Sequence, residues 1–390
     1  MKRILFISPT PPNHINRIRT LNLLKAWSGH AEIHYVCLAK ERKDYEDIEK
    51  YGHLFKEVKV FWQPKWLSLV FCLWGLLTGT SLQVSYCRNT KLTGYLRNLD
   101  LDSFDTIYIK RLRMAQYANQ LPADKVWIDL TDSMGLYYAR MLRIKVPIAD
   151  RAIARYERKF LGDFETRMMR THKTIFCSKV DLFHASKNIE GKCHAVIIPN
   201  VVDLDEFPYT RGKGSSPIFR MCYWGNLSVP MNFTAVEILL RDVLPRILEK
   251  LPDCQLEVIG PNPPKHLLRM SSRSVMFTGH VEHLNLKLCK MDLFVCPLIF
   301  GTGVKNKVLQ SFALGLPVLT TTIGAEGIEG IEELVNKGML FIENNISAYP
   351  ALILALNKNL PFGQNRMRDF VSANYSIASL RDSLVDHNLI

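Results

Sequence analysis

The chain has 390 residues, 47% hydrophobic, 10% aromatic and 22% charged, which is too long for one ordinary core, suited to two average domains, and too apolar for a disordered chain. A formal net charge of +13 calls for something anionic, such as nucleotide phosphates, nucleic acid or a membrane face, without choosing among them. The nine cysteines are scattered and never spaced C-x-x-C, which speaks against a disulfide framework or a zinc site and points to a reducing compartment with most of them packed as small hydrophobes.

Lys2-Arg3 runs at once into a short apolar stretch of strand length, so no secretory signal is expected. Strands are predicted at residues 4–7, 33–38, 58–61, 106–109, 126–128, 174–176 and 195–198, separated by helix-period stretches. In one of these, Ile18, Leu21, Leu24 and Trp27 form a stripe with Arg17, Arg19 and Lys25 off it. Strand and helix in alternation mean a parallel sheet wrapped by helices. The uncharged stretch 66–87 has a strongly apolar part, 66–77, worth about 18 Å of helix against a hydrocarbon core of about 30 Å. It is too short to span, and reads as a buried or half-buried helix, with an interfacial membrane contact as the alternative.

Residues 209–217, from Tyr209 to Pro217, are polar, glycine-rich and closed by proline, which predicts a linker between domains 1–208 and 218–364. A second alternating series follows, with strands at 219–224, 255–259, 275–278, 293–296 and 317–320 and helices at 233–248, 284–290 and 304–314. The tail 365–390 reads as helical and apolar on one face, packing back on the body. Two doubly wound α/β units create an expected cleft, with ligands at the carboxyl ends of the strands.

The chemistry concentrates between Cys296 and Ile328. A predicted strand leads into Gly301-Thr302-Gly303, and a helix is expected directly after it. Glycines let the backbone approach an anion, and the first amides of a helix lack internal partners, so this junction reads as a phosphate cradle. Lys305 and Lys307 near the helix start oppose its dipole, at about 0.3–1 kcal/mol each, which an anionic ligand would explain. A solvated basic helix start is the bland alternative.

The segment from Gly301 through Gly315, Pro317, Thr320, Thr321, Gly324, Ala325, Glu326 and Gly327 resembles the donor-binding region of glycosyltransferase family 4. Tyr223-Trp224-Gly225-Asn226-Leu227 is similar to the strand and glycine loop opening that family's C-terminal domain, Val258-Ile259-Gly260-Pro261 to its next turn, and Phe277-Thr278-Gly279-His280-Val281 to the turn bordering the base. Pro199-Asn200-Val201-Val202-Asp203 with Phe207 resembles the element before the linker, with Val201 where glycine is usual. The family's pair of glutamates would fall on Thr302 and Gln310. A neutral Gln310 accepts hydrogen bonds from ribose more weakly than a carboxylate.

Near the first strand, the segment from Ser8 to His14 resembles the family's first loop, but Ile15 stands at its glycine, and a β-branched residue does not readily take positive φ. Arg19 fits the family's basic position. After the strand 126–128, Asp129, Asp132 and Ser133 resemble a loop of exopolysaccharide-linked sugar transferases, where either carboxylate is a candidate to orient or deprotonate an acceptor hydroxyl. The alternative is a helix cap by Asp132 or Ser133. Arg155-Tyr156-Glu157 and Glu165 resemble the same subgroup, or form a helix surface of paired charges. His14 and His280 are weaker candidates.

The resemblance implies the GT-B fold, two Rossmann-like domains facing across a cleft. It also implies a retaining, metal-independent transfer of sugar from a nucleotide-diphosphate donor, without cofactor, to a glycan or lipid-linked acceptor in bacterial surface polysaccharide synthesis. The donor would be held by Gly225, Asn226, Gly279, His280, Val281, Gly301, Thr302, Gly303, Val304, Gln310, Gly324 and Glu326, with Lys305 and Lys307 stabilising the leaving diphosphate. The expected place is the cytoplasm, with peripheral contact at the inner face of the membrane. Rival readings are a nucleotide-sugar 2-epimerase and a non-catalytic glycan or nucleic-acid binding protein. Basic residues spread through both halves argue against nucleic acid.

Overall fold

The computed structural model describes residues 1–13, 17–191, 193–209, 218–360 and 365–390. The chain forms two compact units, Met1–Pro199 with Leu380–Ile390, and Asn200–Ser379. The boundary falls ahead of the expected linker, whose residues 210–217 lie outside the described set. Residues after Pro199 belong to the second unit because its helices hold them: Val202 N donates to Tyr375 O (2.8 Å), and Arg368 donates to the carbonyls of Leu204 (3.2 Å) and Phe207 (2.5 Å). The tail splits. The helix Arg366–Asn374 stays with the second unit, while the end of the chain returns to the first, where Trp27 Nε1 donates to Leu389 O (3.1 Å).

The first unit has seven strands: β1 (Lys2–Ser8), β2 (Ala31–Ala39), β3 (Glu57–Trp62), β4 (Thr106–Lys110), β5 (Val126–Thr131), β6 (Lys173–Phe176) and β7 (Ala195–Ile197). They pair in parallel in the order β3-β2-β1-β4-β5-β6-β7. β4 and β5 are buried along their whole length, as strands covered on both faces must be. Phe6 stacks between Tyr35 and Tyr108 at 5.2 and 5.0 Å, with Trp27 edge-on, and these rings form the centre of the core.

The second unit has six strands: β8 (Arg220–Trp224), β9 (Gln255–Ile259), β10 (Val275–Gly279), β11 (Leu293–Cys296), β12 (Val318–Thr320) and β13 (Leu340–Ile342). All pair in parallel, in the order β10-β9-β8-β11-β12-β13. In both sheets the order reverses direction beside the first strand, between β1 and β4 and between β8 and β11, where α/β sheets open a crevice for ligands. β13 was missed because its apolar run is only a few residues long. The expected helix 233–248 starts earlier, at Pro230, and passes through a π-turn, Leu239–Val243, before Pro245, which has no N–H to continue an α-ladder.

The apolar helix Lys65–Thr78 is half-buried, one of the two expected forms: Ser68 and Gly75 are buried and Leu67, Phe71 and Cys72 half-buried on one face, whereas Trp66, Leu73, Trp74 and Leu77 are 66%, 63%, 56% and 82% exposed on the other. A hydrophobic stretch of helix length does not reveal which side has a neighbour. Here the small residues face the unit, and an added Cβ at Gly75 would lie 2.3 Å from Ser85 Oγ.

Gly225 and Gly260, after β8 and β9, sit at φ 152° and 142°, and a Cβ on Gly260 would lie 2.0 Å from Gly225 O. The clash is with backbone, so no rotamer relieves it. Gly260→Ala is expected to destabilise the second unit by about 3 kcal/mol or more. Gly94→Ala, inside the helix Thr90–Asn98 with open space at its Cβ, is expected to stabilise by ~0.5–1 kcal/mol. Urea unfolding of the two variants checks both signs.

Candidate active site

In the second unit, the ends of β8 and β11 each receive a lysine. The helix after the glycine loop is Asn306–Ala313, shorter than expected at both ends, so Lys305 is its N-cap residue rather than part of its first turn, and no side chain caps it. Lys305 is buried and folds back on the loop, donating to Thr302 O (2.9 Å) and Gly303 O (2.6 Å). Its chain lies against Gly301, where a Cβ would meet Lys305 Cε at 3.6 Å.

Lys307 points to the other strand end. Its ammonium donates to Tyr223 Oη (3.0 Å) and Asn232 Oδ1 (2.7 Å), and a Cβ on Gly225 would lie 2.8 Å from it. Tyr223 Oη also donates to Asn232 Oδ1 (2.8 Å), so both partners of the lysine are neutral. Lys307 has no carboxylate partner among the described residues. Burial lowers its pKa to about 8, and the repulsion of Lys305 adds to this. A cation desolvated and left without a counter-charge is costly unless an anion arrives. Asn232 and Tyr223 were not among the expected site residues. Asn232 gave no signal because its role depends on the contact between its helix and β8.

The remaining expected donor residues are distributed unevenly. Asn226 closes its own turn, accepting from Ser228 N (3.0 Å) and Asn262 Nδ2 (3.3 Å). Gln310 is buried, and its Oε1 accepts from Trp224 Nε1 (3.3 Å), which ties the helix to β8. Val304 is buried, and its carbonyl accepts from Asn200 Nδ2 (3.1 Å). Thr302 and Glu326 are half-buried. Gly324 N donates to Thr321 Oγ1 (3.1 Å), and Thr320 and Thr321 donate to Cys296 O (2.7 Å) and Leu298 O (2.5 Å), so the turns after β11 and β12 are tied together. Gly279 accepts from Gly260 N (2.8 Å) at the next strand end, with Val281 half-buried and His280 exposed.

In the first unit, Asp129 is 0% exposed and receives Arg19 Nε (2.9 Å), Tyr108 Oη (2.7 Å), Lys110 Nζ (2.7 Å) and Thr131 Oγ1 (2.9 Å). Burial would raise its pKa, but Arg19 and Lys110 together pull it far below the usual range. Lys110 is itself lowered to about 7 by burial, against the attraction of Asp129. A carboxylate so enclosed is a structural anchor, which corrects its reading as an acceptor base. Asp132 is more open: its side chain is 23% exposed, with Arg111 at 3.6 Å and Cys177 Sγ donating at 3.0 Å.

The helix cap is Ser133, which accepts from Leu136 N (3.2 Å) and donates to Glu165 (3.0 Å). Glu165 also accepts from Met134 N (2.8 Å), and burial raises its pKa to about 7. Glu157 accepts from Ser81 Oγ (2.7 Å) and Gln83 N (3.2 Å). The two glutamates are therefore buried capping groups, not surface charges. Ligand atoms of Asp132, Cys177 and Asp181 lie within 4.8 Å of one another. Hydrogen bonds inside the unit already occupy them, Asp181 accepting from Ser133 N (2.9 Å). His14 and Ile15 lie outside the described residues. Asp129→Asn is expected to cost the first unit about 3–5 kcal/mol by leaving Lys110 and Arg19 buried without their counter-charge. Urea unfolding measures this, and an exposed catalytic base would show almost no change.

Residues 219–359 match the family model described as glycosyl transferases group 1. A 44.6 kDa protein in the cps region of Klebsiella pneumoniae is 23% identical over 231 residues, 55% of this chain and 56% of that protein, so the chain spans about half the length of this curated relative. Among solved structures, sucrose-phosphate synthase of Thermosynechococcus elongatus superposes with a TM-score of 0.68 at 13% identity, covering 100% of this chain and 98% of that one. HepE of Anabaena in complex with UDP and glucose gives 0.62 at 13% identity, covering 99% of each chain. No helix among the described residues is long and apolar enough to cross a membrane. With two parallel sheets and likeness to these structures along the whole chain, the protein has the GT-B fold, and its residues 219–359 are similar to the glycosyl transferases group 1.

Proposed function

We propose that the chain transfers a sugar from a nucleotide-diphosphate donor to a hydroxyl of a glycan or lipid-linked acceptor, with retention and without a metal, in bacterial surface polysaccharide synthesis. The observation that carries this reading is the Lys307 ammonium, seated against the Gly225 loop with only neutral partners. In the transfer the bond from the sugar to the diphosphate breaks, a bond to the acceptor oxygen forms, and the acceptor proton passes to the departing diphosphate oxygen. The charge that develops on the diphosphate is what a fixed cation stabilises most. Lys305 keeps the 301–303 loop in place while Lys307 meets the ligand. The solved HepE complexes with UDP and with UDP-glucose and the cps region of the Klebsiella relative agree with this reading.

The acceptor side includes a membrane contact at the cytoplasmic face. Residues 58–99 contain Lys59, Lys65, Arg88, Lys91 and Arg97 and no aspartate or glutamate. The exposed apolar face of Lys65–Thr78 lies inside this stretch. An exposed apolar face in a stretch whose only charges are basic suits the interface of an anionic bilayer.

A panel of nucleotide sugars tested for thermal stabilisation and slow hydrolysis is expected to single out one donor. Lys307→Met should weaken it by about 10- to 100-fold, the worth of one charge-assisted hydrogen bond. Because the ammonium loses its proton near pH 8, affinity should fall as pH rises from 7 to 9, and the fall should vanish in Lys307→Met. A panel with no stabilising member removes the reading. Separately, the chain should sediment with phosphatidylglycerol vesicles at low salt, and Trp66→Ser/Leu73→Ser/Trp74→Ser should not. A parent that ignores such vesicles has no membrane contact of this kind.

A further inference from the structure

The first unit has its own crevice where the strand order reverses, and its charges are unbalanced. Lys40 follows β2 and Arg111 follows β4, with β1 between them, so their backbones leave the sheet about 10 Å apart on the same edge. Arg113 comes two residues later, and Arg17 is the N-cap residue of the helix Ile18–Trp27 that follows β1. The neighbouring carboxylates are already engaged. Asp44 receives Arg17 NH1 (3.2 Å) and the Lys40 amide (2.7 Å), Asp47 lies 3.8 Å from Arg17, and Asp132 lies 3.6 Å from Arg111.

That leaves Lys40 and Arg113, neither of which has a carboxylate partner among the described residues. The Lys40 ammonium stands 3.8 Å from the centre of the Tyr86 ring, and Arg113 Nε is buried with no hydrogen-bond partner. Burial lowers the pKa of both groups, and the guanidinium groups around them lower it further. Arg111 stands at φ 75° and ψ 139°, a conformation that costs a non-glycine residue of order 1–3 kcal/mol. Strain, desolvation and like-charge repulsion together at one strand edge are costs that the empty unit carries without return.

We propose that Lys40, Arg111 and Arg113 form an anion site in the first unit that takes a phosphate or diphosphate group carried by the acceptor. Guanidinium groups suit this ligand because their paired N–H groups match phosphate oxygens. The assignment rests on the glycosyl-transfer reading for the word acceptor, but the anion site stands on the first unit alone.

The test uses the full chain with Lys305→Ala/Lys307→Ala, so that the second unit offers no competing lysines, and follows thermal unfolding with inorganic phosphate, pyrophosphate, farnesyl diphosphate and farnesol. Pyrophosphate and farnesyl diphosphate should raise the midpoint, and farnesol should not. Tighter binding of farnesyl diphosphate would point to a lipid-borne group, and equal binding to the anion alone. Adding Arg113→Met should weaken the diphosphates at least 10-fold while raising the midpoint of the empty protein, because a buried repulsion is gone; Arg113→Lys should restore part of the binding. The proposal is overturned if neither diphosphate shifts the midpoint, or if Arg113→Met lowers the empty midpoint and leaves binding unchanged. A parent stabilised by no nucleotide sugar, with pyrophosphate still acting on the double lysine variant, would remove the transfer reading and keep the anion site.

Discussion

Both sheets of this protein are wholly parallel, and that constraint arranges the rest. In a parallel sheet every strand ends at the same edge, so the loops that follow are gathered there whatever their distance along the chain. In the second unit this places Lys307 against Tyr223 and Gly225 and Lys305 against the 301–303 loop, although Lys307 and Tyr223 are far apart in sequence. In the first unit the same edge gathers Arg19, Lys110 and Asp129.

The two edges handle positive charge in different ways. Asp129 binds both Arg19 and Lys110 inside the first unit by hydrogen-bonded ion pairs, so this charge cluster is a piece of architecture. Lys307 has only a phenol and an amide, which orient the ammonium without neutralising it. Buried charge satisfied internally builds a fold, whereas buried charge left over favours an anionic ligand. Lys40 and Arg113 belong with Lys307 in this respect.

The helix Lys65–Thr78 shows the same principle for apolar surface. Ser68 and Gly75 are buried with Leu67, Phe71 and Cys72 half-buried beside them, and Trp66, Leu69, Leu73, Trp74 and Leu77 stand in solvent. Tyr156 Oη fixes the end of this helix by donating to Gly75 O and Thr80 O (both 3.0 Å). An exposed apolar face held this firmly costs solubility and is kept for contact with something apolar.

Much was fixed by local pattern alone. Short apolar runs between helix-period segments located all seven strands of the first unit and five of the six in the second, most plainly β4 and β5, which are buried throughout and so apolar along most of their length. The glycines at 225, 260 and 301 were legible through the family resemblance, and all three take positive φ, which favours glycine. Tertiary structure decided what each polar group meets. Asp129 and Asp132 look equivalent in sequence, yet one is sealed among four donors and the other is partly open. Glu157 and Glu165 looked like surface charges and are buried caps. The partner of Lys307 and the outward turn of the apolar helix were equally hidden, because spacing along one chain reports a residue's own face and says nothing of what another element brings against it.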